Sequence, residues 1–324
     1  MTEANIARTR QGIVIKKNLG QFGVQADGQT IACTLSTRLA KPAQPGRKPN
    51  RVPGLDLVVG DEVRFIPAQT GQGQIIEVLP RRSQLSRRGI APRPGAYAPE
   101  QVLVANVDQV VPVFAAANPT PHWNMLDRYL VTAEAYALPA LICITKQDLI
   151  GAGSPTEGAG LTEALEEYQR IGYAVLMVSS FSGAGLAELR AALRGRISVL
   201  LGKSGVGKTS LLNALQPGLG LRVSAVNQVT GKGRHTTTAQ EMFPLEGGGA
   251  IVDTPGEREF GLWDVDPDEL DLYFPEMRSH VLSCRFGRGC RHLEEPGCAV
   301  RRAVMDGRVS PRRYQSYVRL REDG

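Results

Sequence analysis

The stretch most committed to chemistry is RISVLLGKSGVGKTSLLNAL, residues 196–215, where an apolar run leads into a glycine-rich loop and then a helix-forming run. The loop has the spacing Gly202-x4-Gly207-Lys208-Thr209. Glycines let the backbone wrap a phosphate so that successive N–H groups point inward, and the following helix adds the positive end of its dipole. At this spacing Lys208 reaches the β- and γ-phosphates and the Thr209 hydroxyl binds Mg²⁺. Gly202, Lys203, Ser204, Gly205, Val206, Gly207, Lys208, Thr209 and Ser210 are therefore candidate nucleotide-binding residues. A chance match to the short motif would bring neither the strand before it nor the helix after it.

A phosphate loop does not choose the base. Thr145-Lys146-Gln147-Asp148 follows the apolar run ALICI. A carboxylate there accepts hydrogen bonds from N1–H and N2–H₂ of guanine, a donor pair that adenine lacks, while the Lys146 stem lies along the base. Ser179-Ser180, in VSSFSGAG, would present backbone N–H groups to the guanine O6. Asp253-Thr254-Pro255-Gly256 ends another apolar run, with Asp253 suited to Mg²⁺ and the Gly256 N–H to the γ-phosphate. The segment GKGRHTTT, residues 231–238, adds hydroxyls for the metal and the γ-phosphate, Thr237 among them.

Hydrolysis needs a group that orients water in line with the γ-phosphate. His235 and Glu257 are the candidates. An imidazole orients water without opposing the developing anion, whereas a carboxylate repels it, which favours His235 as the catalytic residue. The order of these elements is unusual: base-reading segments at 145 and 179 precede the phosphate loop at 202, and the switch segments come last. The set is that of a GTPase, circularly permuted. The second switch thereby runs straight into the C-terminal region.

That region carries Cys284-x5-Cys290-x-His292-x5-Cys298. Three thiolates and one imidazole are the donor set of a closed tetrahedral Zn²⁺ site, and a tail with so few apolar residues needs such a staple. His122 and His280 read as ordinary histidines. Cys33 and Cys143 stand alone in apolar runs and read as buried thiols. The chain's net charge is +6, and it is segregated: residues 278–324 hold eleven Arg against five acids, and residues 81–93 hold five Arg and no acid. Residues 36–54 add three Arg and two Lys without an acid, whereas residues 253–276 hold nine acids and one Arg. Basic blocks of this kind suit a polyanion partner, most often nucleic acid.

The elements that must position these groups follow from pattern. Five short strand-like runs, Gly12–Lys17, Phe22–Ala26, Thr30–Leu35, Asp61–Pro67 and Gly73–Leu79, predict a small barrel. An OB-fold is the first choice, with an SH3-like barrel as the alternative. From Gln101 onward, apolar strands alternate with helical stretches at Asn124–Ala137, Leu161–Gly172, Leu186–Leu193 and Lys208–Leu215, the pattern of an α/β parallel sheet. The run QVLVANVDQVVPVFAA reads as buried parallel strand. The predicted domains are a barrel over 1–80, a basic linker over 81–100, a permuted GTPase domain over 101–273 and a zinc-binding domain over 274–324. No run approaches the ~18 apolar residues of a membrane span. The first residues, MTEANIARTRQG, do not form a secretory signal. A cytoplasmic, monomeric protein without a membrane partner is expected.

The permuted order, GKSGVGKTSLLNAL, GRHTTT, DTPGEREFGL and the cysteine tail with EPGCAV together resemble the ribosome small-subunit-dependent GTPase A family. The resemblance covers nearly the whole chain. It implies an OB-fold, a permuted GTPase domain and a zinc finger. It also implies GTP hydrolysis stimulated by the small ribosomal subunit, binding to its rRNA near the decoding region, and a role in its late maturation. It points to His235 as the hydrolytic residue. The chain departs from the family pattern at Thr145, where Asn is usual, at the five-residue first cysteine gap, where four is usual, and at Glu257, where an apolar residue is usual. Other readings are a P-loop kinase or ATPase, a GTP-binding scaffold without hydrolysis, and a permuted GTPase acting on the large subunit.

Overall fold

The structure, a computed structural model, describes residues 9–18, 20–40, 57–68, 71–88, 100–150, 155–221, 240–253 and 265–322. These fall into two compact units. One holds the described residues up to Asp108 with Arg190–Leu200 and 240–253; the other holds Gln109–Leu189, Leu201–Leu221 and 265–322.

In the first unit, strands β1 (Arg10–Asn18), β2 (Gln21–Ala26), β3 (Gln29–Leu35), β4 (Glu62–Pro67) and β5 (Gln72–Val78) form the barrel. Apolar residues alternate inward, and Val14, Phe22, Val24, Ile31, Cys33, Val63, Phe65 and Ile75 fill the interior. β3 pairs with β5 in parallel, and β1 closes the ring by pairing antiparallel with β4. This is the five-stranded arrangement of an OB-fold, which settles the choice of barrel. β1 shifts register between Val14 and Lys16, and beyond the bulge Lys16 pairs with Glu241 of β12 (Glu241–Pro244). β12 is antiparallel to β13 (Ala250–Asp253), and β13 is parallel to β11 (Ile197–Leu201).

The stretch expected to be linker contains a strand, β6 (Gln84–Arg88), antiparallel to β7 (Glu100–Ala105). Its polar residues hid it: Gln84 Nε2 and Ser86 Oγ both donate to Glu100 Oε1, at 2.7 and 2.6 Å. The run 101–116 is likewise two strands. Asn106 adopts φ +56 and donates from Nδ2 to the Gly60 carbonyl at 2.9 Å, ending β7 before β8 (Gln109–Ala115) begins. Asn tolerates this left-handed turn better than other side chains that carry a Cβ.

In the second unit, β8, β9 (Leu141–Thr145) and β10 (Ala174–Met177) are parallel neighbours. Helices α1 (Trp123–Ala135), α2 (Pro155–Ile171), α3 (Leu186–Leu193) and α4 (Lys208–Leu215) follow the expected alternation, with α3 starting at the end of the segment Gln109–Leu189. α2 begins six residues earlier than expected, because Gly158 and Gly160 make its first turn read as loop while Pro155 suits a helix start. The C-terminal part holds α5 (Pro275–Val281), α6 (Ala299–Met305) and α7 (Pro311–Glu322). Phe274, Met277, Val281, Val300, Ala303, Val309, Tyr317 and Leu320 give this part a core of its own, which Leu270 and Val131 join.

A buried ionic cluster fastens α7. Arg313, 0% exposed, donates to Asp127 of α1 at 2.5 Å and to Glu276 of α5 at 2.6 Å, and its guanidinium lies 4.5 Å from the Phe274 ring centre. Arg312 donates to Glu167 at 2.7 Å and to the Tyr168 hydroxyl at 2.9 Å, and that hydroxyl donates to Asp127 at 2.6 Å. The carboxylates beside it hold the Arg313 guanidinium charged although burial opposes the charge.

Candidate nucleotide site and metal centre

The phosphate loop leaves the fully buried β11 at Gly202. A Cβ on Gly202 would lie 2.3 Å from the Val113 carbonyl oxygen, so only glycine fits beside β8. Gly207, at φ +100, turns the chain into α4, which Leu211, Leu212 and Leu215 anchor in the core. Val206 is buried, and Ser204 projects outward. Lys208 Nζ donates to the carbonyls of Gly202 and Lys203, the latter at 3.2 Å, which holds the ammonium over the loop. Thr209 and Ser210 occupy the first turn of the helix behind it.

The segment expected to read the base follows β9. Thr145 is buried, and its hydroxyl donates to the Val206 carbonyl and lies 3.2 Å from that of Phe114. The proton that a base contact would use is thus directed at the phosphate loop. Lys146 takes φ +56 and donates to the carbonyls of Asn118 and, at 2.9 Å, Gly205. Burial lowers its pKa, against the opposing pull of Asp148. Asp148 is exposed and accepts from the buried Ser179 hydroxyl. Ser179 Oγ in turn accepts from the N–H groups of Phe181 and Ser182 at 3.2 and 3.0 Å, which fixes the loop carrying Ser180. Asp148, Ser179 and Ser180 are thus brought together. Asp253 is buried at the end of β13, in register with Leu200 of β11. His235, Thr237, Gly256 and Glu257 lie outside the described residues.

Cys284, Cys290, His292 and Cys298 are all buried, with their ligand atoms within 4.8 Å of one another. Cys284 Sγ is 3.9 Å from Cys298 Sγ, and His292 Nδ1 is 3.5 and 3.4 Å from those two sulfurs. A tetrahedral ion with Zn–S of about 2.3 Å and Zn–N of about 2.05 Å separates its sulfurs by about 3.8 Å and sulfur from nitrogen by about 3.6 Å. The donor set fits that ion, and so does the spacing of Cys284, His292 and Cys298. The five-residue gap between the first two cysteines is taken up by a tight turn at Gly287–Gly289. Burial raises the Cys290 thiol to about 12. Burial also opposes the Cys284 thiolate, but the N–H groups of Val300 and Ala299 and the nearby His292 outweigh it and lower that pKa. The two isolated cysteines, Cys33 and Cys143, are buried and unbridged, and burial raises their thiols to about 11 and about 12.

Charge counting along the sequence overstated the basic surface. Of the eleven C-terminal arginines, Arg278, Arg308, Arg312, Arg313 and Arg321 are in ion pairs. Arg285, Arg288, Arg291, Arg302 and Arg319 are exposed. The Arg313 cluster was missed altogether. Its one sequence signal is Asp127, a carboxylate amid the apolar positions Leu126, Tyr129 and Leu130 of a helix face.

A phosphate loop placed after the base-reading strand of a parallel sheet, together with a five-stranded barrel and a Cys₃His cluster, defines a circularly permuted P-loop GTPase. The RsgA GTPase family model matches residues 78–263. The chain belongs to the RsgA GTPase family, and it is a GTP hydrolase. The small ribosomal subunit biogenesis GTPase RsgA of Gemmatimonas aurantiaca is 44% identical over 315 residues, 96% of each chain. That of Pseudomonas aeruginosa PAO1 is 42% identical over 304 residues, 92% of this chain and 82% of the relative. Among solved structures, YjeQ from Thermotoga maritima aligns with a TM-score of 0.75 at 33% identity, covering 97% of this chain and 98% of that one. YloQ, described as a circularly permuted GTPase, aligns with a TM-score of 0.70 at 30% identity, covering 100% and 97%. Among the described residues, no helix is long and apolar enough to cross a membrane.

Proposed function

We propose that this GTPase binds the small ribosomal subunit and acts in its late maturation, with hydrolysis stimulated by that subunit. The observation that carries this reading is the 44% identity over 96% of both chains with a small ribosomal subunit biogenesis GTPase, a span that takes in barrel, nucleotide site and cysteine cluster alike. The exposed arginines of the C-terminal part suit ribosomal RNA as the surface contacted. The protein works in the cytoplasm as a monomer. Its domains divide near residues 80, 100 and 273, with β6 and Leu270 marking where the first and last of these boundaries are soft.

In this reading the loop Gly202–Ser210 cradles the phosphates with its N–H groups, and Lys208 sets its ammonium against the β- and γ-phosphates. Asp148 accepts the two guanine donors, Lys146 lies along the base, and Ser179 and Ser180 hold the loop facing O6. Thr145 serves the site by holding the phosphate loop. Thr209, Thr237 and Asp253 would hold Mg²⁺, which neutralises charge on the β- and γ-oxygens. The Gly256 N–H meets the γ-phosphate, and His235 orients the attacking water. Cys284, Cys290, His292 and Cys298 hold one structural Zn²⁺ that keeps the C-terminal part folded.

Co-sedimentation tests the partner. The GTP-loaded chain is expected to pellet with isolated small subunits and to be released steeply as salt rises, because arginine–phosphate contacts displace counterions. Equal pelleting with large subunits, or binding unchanged over a fourfold rise in salt, would contradict it.

A further inference from the structure

The four cysteine and histidine ligands do not account for the whole metal centre. His292 is fully buried, with Nδ1 facing two thiols, and its other ring nitrogen points away from them. Nε2 lies 2.9 Å from Oδ2 of Asp271, a carboxylate 4% exposed in the short turn Leu270–Tyr273. An imidazole that binds an ion through one neutral nitrogen carries its proton on the other, and a buried N–H needs an acceptor. Asp271 is that acceptor. It stands twenty-one residues before His292, outside the Cys–His span, so no spacing rule for metal ligands reveals it.

We propose that Asp271 is a positioning residue of the metal centre, accepting the Nε2 proton of His292 so that Nδ1 is the nitrogen presented to the ion. This rests on the reading of the four residues as metal ligands. His292 takes φ +59, a left-handed conformation unusual for a residue with a Cβ. The neighbouring hydroxyls fix the loop backbone: Tyr314 donates to the His292 carbonyl and Tyr317 to the Arg291 carbonyl, the latter at 2.9 Å. A carboxylate in this place fixes the orientation and tautomer of the ring, and with them the hold on the metal. Leu270 and Phe274, on either side of Asp271, belong to the C-terminal core, so the segment that follows the second switch in sequence is keyed to the metal centre by both apolar packing and a charged hydrogen bond.

The test uses the full chain loaded with Zn²⁺ and labelled with ¹⁵N-histidine. Long-range ¹H–¹⁵N spectra are expected to show His292 protonated at Nε2 and metal-bound at Nδ1. In competition against a chromogenic chelator, Asp271→Ala is expected to hold Zn²⁺ about 10- to 100-fold more weakly than the unmodified chain. Asp271→Asn keeps an acceptor without the charge, so it is expected to retain the Nε2 tautomer with a smaller loss. Should Asp271→Ala fail to fold, Asp271→Asn and the spectrum of the unmodified chain carry the test. A proton on Nδ1, or unchanged Zn²⁺ affinity in the folded variants, overturns the role of Asp271. An unmodified chain that binds no Zn²⁺ overturns the ligand assignment itself.

Discussion

The hydroxyl of Thr145, at the end of β9, donates to the carbonyl of Val206 in the middle of the phosphate loop. Lys146 adds a second tie, to the Gly205 carbonyl one residue earlier at 2.9 Å. The segment proposed to read the base and the loop proposed to hold the phosphates are thus fastened to each other through neighbouring residues on both sides. Thr145→Val removes the first tie at nearly constant volume and leaves a buried carbonyl short of its partner, at a cost of about 1–3 kcal/mol. Affinity for GTP and GDP is expected to fall together, since both carry the phosphates the loop must hold. Titration calorimetry that finds both unchanged would show the tie to be idle.

The proposed reader of the base, Asp148, is exposed and accepts a hydrogen bond from Ser179. Asp148→Asn is expected to weaken GTP and strengthen xanthosine triphosphate, because xanthine presents an acceptor where guanine presents a donor. Competition binding measures the exchange. Equal competition by ATP and GTP in the unmodified chain would remove the basis for it.

Arg313 is held by Asp127 and Glu276 with no exposure to solvent. Arg313→Ala takes from Asp127 and Glu276 the guanidinium they share, which costs about 3–5 kcal/mol. Thermal unfolding should show a marked fall in Tm, reporting the detachment of α7 from α1 and α5. A Tm within a degree of the original would mean that the cluster relaxes by admitting water.

The hydrolytic step separates two candidates. His235→Ala is expected to keep GTP binding and lose subunit-stimulated turnover by about 10²-fold or more, the scale of a positioned acid–base group. Glu257→Ala is expected to be mild. Single-turnover kinetics on both variants decide the matter, and a severe loss in Glu257→Ala with near-normal His235→Ala reverses the roles.

What the sequence disclosed followed the range of the interactions involved. The phosphate loop and α4 were legible to the residue, because one contiguous run carries the glycines, the lysine and the helix that follows. The cysteine cluster was legible because its donors lie within fifteen residues. Asp271 and Asp127 were not, since their partners lie 21 and 186 residues away and either carboxylate alone looks like surface. β6 was hidden because its ladder is set by Glu100 across the pair and not by an apolar alternation of its own. The role of Thr145 was half legible: the sequence marks an unusual residue, and the direction of its hydroxyl comes only with the fold.

The GTPase is proposed to answer to the small ribosomal subunit. GTP turnover measured with the chain alone, with isolated small subunits and with isolated large subunits tests it most directly. Slow turnover alone, a large rise with small subunits and none with large ones are expected. Stimulation by large subunits, or one rate under all three conditions, would contradict it.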